Sequence, residues 1–128
     1  MLIIDGETTF RETLKNRLES CGYSCSTAQD SRQGWLELET ETPHVVLLNL
    51  GIPPEEGLSF LHRLRSFRDP AGPQREKRLR QMPVIVITGT GEGIKSLFEQ
   101  ERISAFIKKP VDFQVLKKLI EENLSGLA

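Results

Sequence analysis

Cysteine is almost missing: the 128 residues hold only Cys21 and Cys25. The two sit too close in sequence to staple a domain, and no second pair of Cys or His completes a zinc site. Packing or partial exposure is the expected role of both. Charge of one sign is also missing. Lys and Arg number 17 against 18 Asp and Glu, a net −1, so no whole-molecule field draws the chain onto nucleic acid or anionic lipid. Apolar runs are short. Val45 to Leu48 is of strand length, far from what a bilayer demands, and the start Met1-Leu2-Ile3-Ile4-Asp5 lacks the basic, apolar and small-residue sequence of an export signal. A cytoplasmic location without membrane contact is expected. His44 and His62 stand apart from any Ser or Cys that would make a triad, and no set of nucleophile, base and oxyanion donors can be assembled. No catalytic residue is expected.

The chain contains 38% hydrophobic and 27% charged residues at a length suited to one domain, which is expected to span 1–128. Short apolar runs alternate with amphipathic stretches, the mark of a parallel sheet with helices on its faces. Leu2-Ile3-Ile4 opens the sheet. A helix then carries Phe10, Leu14, Leu18 and Cys21, with Thr9 and Glu12 spaced as a capping box. Tyr23 to Ala28 reads as an edge-like second strand, and Asp30 as the cap of a helix bearing Trp35 and Leu38 that stops before Pro43. His44 to Leu50 and Val84 to Thr88 have the unbroken apolar cores of central strands. Between them lie a helix from about Gly57 with Leu58, Leu61 and Leu64, and a connection over about 68–82 that reads as an inserted basic loop. A helix with Ile94, Leu97 and Phe98, a strand over Ile103 to Ile107, and a final helix capped by Asp112 with Leu116, Leu119, Ile120 and Leu124 inward complete the order.

In an open parallel sheet, ligands collect beyond the carboxyl ends of the strands. The residues leaving those ends are Asp5-Gly6-Glu7, Asn49, Thr88 and Lys109-Pro110. With Val45 to Pro53, Gly57 and Phe106-Ile107-Lys108-Lys109-Pro110 in the same order and spacing, the chain resembles the receiver domain of bacterial two-component response regulators over essentially its whole length. The resemblance implies an α/β, flavodoxin-like (βα)5 fold with strand order 2-1-3-4-5. It also implies a Lys-Pro bond after the fifth strand that is often cis.

The resemblance also locates two departures. The family's phosphate-accepting aspartate falls at Asn49, and the second of its two acidic Mg²⁺ ligands falls at Gly6. A carboxamide is neutral, is a poor nucleophile and yields no acyl phosphate. Mg²⁺ needs carboxylate oxygen, and Asp5 is left facing Lys109 with charges that roughly cancel, while Glu7 is expected to point along the first helix as its family position does. Weak or absent Mg²⁺ binding and no cofactor are expected. Asn49 can instead tie Asp5, Lys109 and the Thr88 hydroxyl into a metal-free network. In the family, the Thr88 position and the aromatic at Phe106 remodel the face made by the fourth helix, fifth strand and fifth helix. This chain therefore reads as a pseudo-receiver, a phosphorylation-independent signalling module. Its partners would be proteins such as a histidine kinase or an output domain, with self-association to be tested on that same face. The alternative is a phosphorylatable regulator whose acceptor has been substituted, controlling a transcriptional or kinase output. Gly6 argues against it, since one substitution would not also remove a metal ligand.

Two other signals compete. Gly89-Thr90-Gly91-Glu92-Gly93 follows a strand, but it fits neither a dinucleotide fingerprint nor a phosphate-binding loop ending in Lys-Ser/Thr. Between His62 and Met82 lie Arg63, Arg65, Arg68, Arg75, Lys77, Arg78 and Arg80, opposed only by Asp69 and Glu76. A solvated helix face is the ordinary reading. Only Phe67 interleaves with these cations, so base stacking is unsupported and nucleic acid is not expected as a partner. The acidic groups Glu37, Glu39, Glu41 and Glu55-Glu56 read as exposed surface.

Overall fold

The computed structural model describes residues 1–49, 55–89 and 102–125. Leu50 to Pro54, the glycine-containing stretch from Thr90 onward and the expected helix at Ile94, Leu97 and Phe98 lie outside the described residues. Five strands form one sheet: β1 (Leu2–Ile4), β2 (Ser26–Ala28), β3 (Val46–Asn49), β4 (Val84–Thr88) and β5 (Ala105–Lys108). All pair in parallel in the order β2-β1-β3-β4-β5, as expected. The described helices are α1 (Thr8–Ser20), α2 (Ser31–Thr40), α3 (Glu55–Arg65), α4 (Pro73–Arg80) and α5 (Phe113–Ser125). Among the described residues no helix is long and apolar enough to cross a membrane.

Successive strand residues point to opposite faces, and both faces are covered, which is why the strands are apolar throughout. Leu2, Ile4, Val46, Leu48, Val84 and Val86 pack with Trp35, Leu38, Phe60, Leu61, Leu64 and Leu79 from α2, α3 and α4. Ile3, Leu47, Ile85, Ile87 and Ile107 pack on the other face with Leu14, Leu18, Leu116 and Ile120 from α1 and α5. Helix α2 approaches β1 so closely that a Cβ on Gly34 would lie 2.5 Å from the Ile4 Cδ1. Trp35 anchors this layer, edge-on to Phe60 with centroids 6.1 Å apart and with the Arg63 guanidinium 4.0 Å above its ring.

Two of the expected caps form: the Asp30 side chain accepts from the Gln33 N–H at 2.9 Å, and Asp112 accepts from the Gln114 N–H at 2.9 Å. The first helix differs. It starts at Thr8, so its N-cap is Glu7 with no side-chain cap bond, and the Thr9–Glu12 box is not its entry; Cys21 is the exposed C-cap rather than an inward residue. The connection expected as a basic loop over 68–82 also needs correction, because it contains α4. Pro73 presets the first turn, Glu76 lies in that turn, and Lys77, Arg78 and Arg80 lie in the last, each sign of charge at the end of the helix dipole that favours it. One fully buried side chain, Leu79, seats the helix, so it has no apolar period to read.

Candidate functional site

The register aligns the carboxyl ends of four strands. Ile4 pairs with Leu48, Asn49 with Ile87, and Thr88 with Lys108, so Asp5, Asn49, Thr88 and Lys109 leave the sheet at one edge. Asp5 is 1% exposed, and each of its carboxylate oxygens has a donor. The Glu7 backbone N–H donates to Oδ1 at 2.8 Å, and the Asn49 side-chain amide donates to Oδ2 at 2.5 Å. Lys109 Nζ stands 4.0 Å from the same Oδ2. The Asp5 backbone is fixed as well, its N–H on Ala28 O at 3.0 Å and its carbonyl accepting from Arg11 Nη1 at 2.7 Å.

Three sequence-predicted site residues thus meet through their side chains: Asp5, Asn49 and Lys109. Thr88 is fully buried at the end of β4, and its backbone carbonyl accepts from the Lys109 N–H at 2.7 Å. The Lys109-Pro110 peptide is cis. Phe106 lies on β5, partly buried and packed against the core face that faces α2 and α3. Gly6 contributes no side chain. A Cβ there would come no closer than 3.5 Å to its nearest neighbour, Gln29 O, so space does not explain the glycine.

Glu7 departs from expectation. Its Oε2 turns to within 3.8 Å of Lys109 Nζ instead of lying along α1, although the side chain remains 65% exposed. Lys109 also sits 4.1 Å above the Phe10 ring. The ammonium is held between two carboxylates and an aromatic face, so Asp5 and Lys109 do not simply cancel as an isolated pair. The parts played by Phe10 and Arg11 were missed from sequence because both lie on α1, while the Lys109 ammonium that Phe10 meets comes from the end of β5 and the Asp5 carbonyl that Arg11 meets comes from the end of β1. No local spacing rule links the two.

The donor set is a poor match for a hard divalent cation, which takes carboxylate, carbonyl or water oxygen. Both oxygens of Asp5 accept from N–H groups, Asn49 turns its NH₂ toward Asp5, Glu7 pairs with Lys109, and Gly6 offers no side chain. Among the described residues no group of three or more His, Cys, Asp or Glu is placed to hold a metal ion.

Residues 1–121 match the family described as response regulator receiver domain. The chain is 29% identical over 126 residues to the chemotaxis protein CheY1 of Helicobacter pylori, covering 94% of this chain and 93% of that one. It is 26% identical over 129 residues to the response regulator Rre1 of Synechocystis, covering 98% of this chain and 51% of that protein, so it spans about half of that relative's length. A solved signal receiver domain of a signal transduction histidine kinase from Syntrophus aciditrophicus superposes with a TM-score of 0.81 at 25% identity, covering 98% of this chain and 89% of that one. A CheY-like receiver domain protein from Methanospirillum hungatei gives a TM-score of 0.79, also at 25% identity, with 98% and 92% covered. Strand order and a match over nearly the whole chain agree, and the chain therefore belongs to the response regulator receiver domain family of two-component signalling.

Proposed function

We propose that this receiver signals without being phosphorylated, and that its pocket is held in one state by an amide where other members of the family use an anion. The observation that carries the reading is the Asn49 amide donating to the buried Asp5 carboxylate. At that position a carboxylate would attack phosphorus, whereas the carboxamide nitrogen has its lone pair delocalised and its N–H directed at Asp5. With Gly6 in place of a second acid and Lys109 beside Asp5, little negative charge remains to hold Mg²⁺, and its binding is weak or absent. The module does no chemistry of its own. Its output is a protein contact with a histidine kinase or an output domain, made through the face that includes Phe106, β5 and α5, which is also the face for self-association. Location in the cytoplasm accords with such partners.

The test is incubation with acetyl phosphate, and separately beryllofluoride, each with Mg²⁺, followed by intact-mass spectrometry and amide NMR. Unchanged mass and unshifted Thr88 and Phe106 amides are expected. A gain of one phosphoryl group, or movement of those amides, would establish instead a phosphorylatable regulator.

A further inference from the structure

The opposite, amino-terminal edge of the sheet carries two adjoining clefts that play no part in the Asp5 pocket. One, of about 460 Å³, is lined by Arg65, Lys77, Arg80 and Arg102 together with Glu76 and Gln81. Its arginines interlock through one another's backbones. Arg65 donates from Nε and Nη2 to Arg102 O at 3.0 and 2.6 Å and from Nη1 to Arg80 O at 3.1 Å. Arg80 Nε returns a bond to Arg65 O at 3.2 Å, and Arg102 Nη2 donates to Arg80 O at 3.0 Å. These bonds satisfy carbonyls at the ends of α3 and α4, where cations are favoured. They also hold like charges together. Glu76 balances them only in part: it is one carboxylate against four cations in the cleft lining, and its Oε1 is turned to the Asp69 N–H at 2.9 Å.

The second cleft, of about 310 Å³, shares Lys77 and Gln81 with the first and runs to Pro43, His44, Met82 and Pro83. Met82 is 1% exposed, so the floor is apolar and already packed. A groove thus runs from an apolar seat to a cationic bed that is fixed before anything binds. A single phosphate would leave the apolar seat empty. Nucleic acid would do the same, and no Phe, Tyr or Trp is among the residues that line either cleft, where His44 is the one ring a base could meet. A polypeptide bearing an apolar side chain beside carboxylates fills both.

We infer that this groove docks an acidic segment of a partner protein, with an apolar residue over Met82 and Pro83 and carboxylates on Lys77, Arg80 and Arg102. The surface lies at the other end of the strands from Asn49, so it stands or falls independently of the pocket's phosphorylation state.

The test uses the whole chain as bait for a random peptide library displayed on phage, with the selected peptides then synthesised and titrated by amide NMR. Enrichment of Asp or Glu beside Leu, Phe or Met is expected, with shifts at Lys77, Arg80, Gln81 and Arg102. Lys77→Glu should weaken binding roughly tenfold, as should raised salt, whereas Lys77→Arg should not. Lys77 is exposed and adds only its charge to the end of α4, so neither change disturbs the packed core. Selection of peptides without acidic residues, shifts confined to other surfaces, or indifference to Lys77→Glu would overturn the inference. So would a duplex DNA oligonucleotide, phosphatidylserine vesicles or inorganic phosphate shifting the same amides at lower concentration than the selected peptides.

Discussion

Replacing Asn49 by aspartate sets a second carboxylate against one that is already buried. The side chains are nearly the same size, so the change is electrostatic: the 2.5 Å N–H···O contact becomes oxygen facing oxygen. Losing a hydrogen bond to a charged group costs about 1.5–3 kcal/mol. Two like charges with centres about 4 Å apart repel by about 4 kcal/mol at an effective dielectric constant of about 20. Lys109, 4.0 Å from Asp5 and 3.8 Å from Glu7, offsets part of this, and outward rotation of the half-exposed position 49 relieves more. A net destabilisation of about 2–4 kcal/mol is expected in metal-free buffer, a large part of the roughly 5–15 kcal/mol that holds a domain of this size together. Urea unfolding of both proteins, in EDTA and in millimolar Mg²⁺, reads the difference. Mg²⁺ should restore the Asn49→Asp midpoint, by about 2.7 kcal/mol at a hundred times its dissociation constant, and leave the parent unmoved. Adding Gly6→Asp, for which there is room, should deepen both the loss and the rescue. A match between Asn49→Asp and the parent without metal would show that the two carboxylates do not repel, and an equal rise of the parent's midpoint in Mg²⁺ would show that the ion binds without a second acid.

Further tests address the inserted helix and the thiols. Arg75 ties α4 to the body of the domain, donating from Nη2 to Leu38 O at 3.0 Å, standing 3.7 Å from Asp69 and lying 5.3 Å from the Phe67 ring centroid. Arg75→Ala should cost about 1 kcal/mol and speed amide exchange across 73–80 while β3 and β4 remain protected; equal loss of protection everywhere would show that the helix does not open as a separate unit. Burial pushes the Cys25 thiol above its ordinary range, outweighing the nearby N-terminal ammonium that draws it down, while Cys21 is exposed. Iodoacetamide at mildly alkaline pH should therefore alkylate Cys21 first, with Cys25 catching up as the pH rises and its thiolate forms. Peptide mass spectrometry showing Cys25 modified first would contradict this.

Much of the fold could be read along the chain because its strands are buried on both faces. Val45 to Leu48 and Val84 to Ile87 admit only central positions, and Asp30 and Asp112 each make the cap their spacing suggested. Helix α4 was hidden for the opposite reason. Its stability comes from Leu79, from Arg75 reaching Leu38 O and from end charges, none of which repeats at helical period.

At the pocket the division is sharper. Chain order alone determined that Asp5, Asn49, Thr88 and Lys109 would gather at one edge, since parallel strands in a known order carry their last residues to the same side. It also determined which chemical groups are present there, an amide at Asn49 and no side chain at Gly6. Packing alone set Glu7 and Phe10 against Lys109 and locked the arginines of α3, α4 and the approach to β5 together at the far edge. Those arrangements depend on distances of a few ångströms between segments far apart in sequence, which are set when the helices pack and not by any local preference.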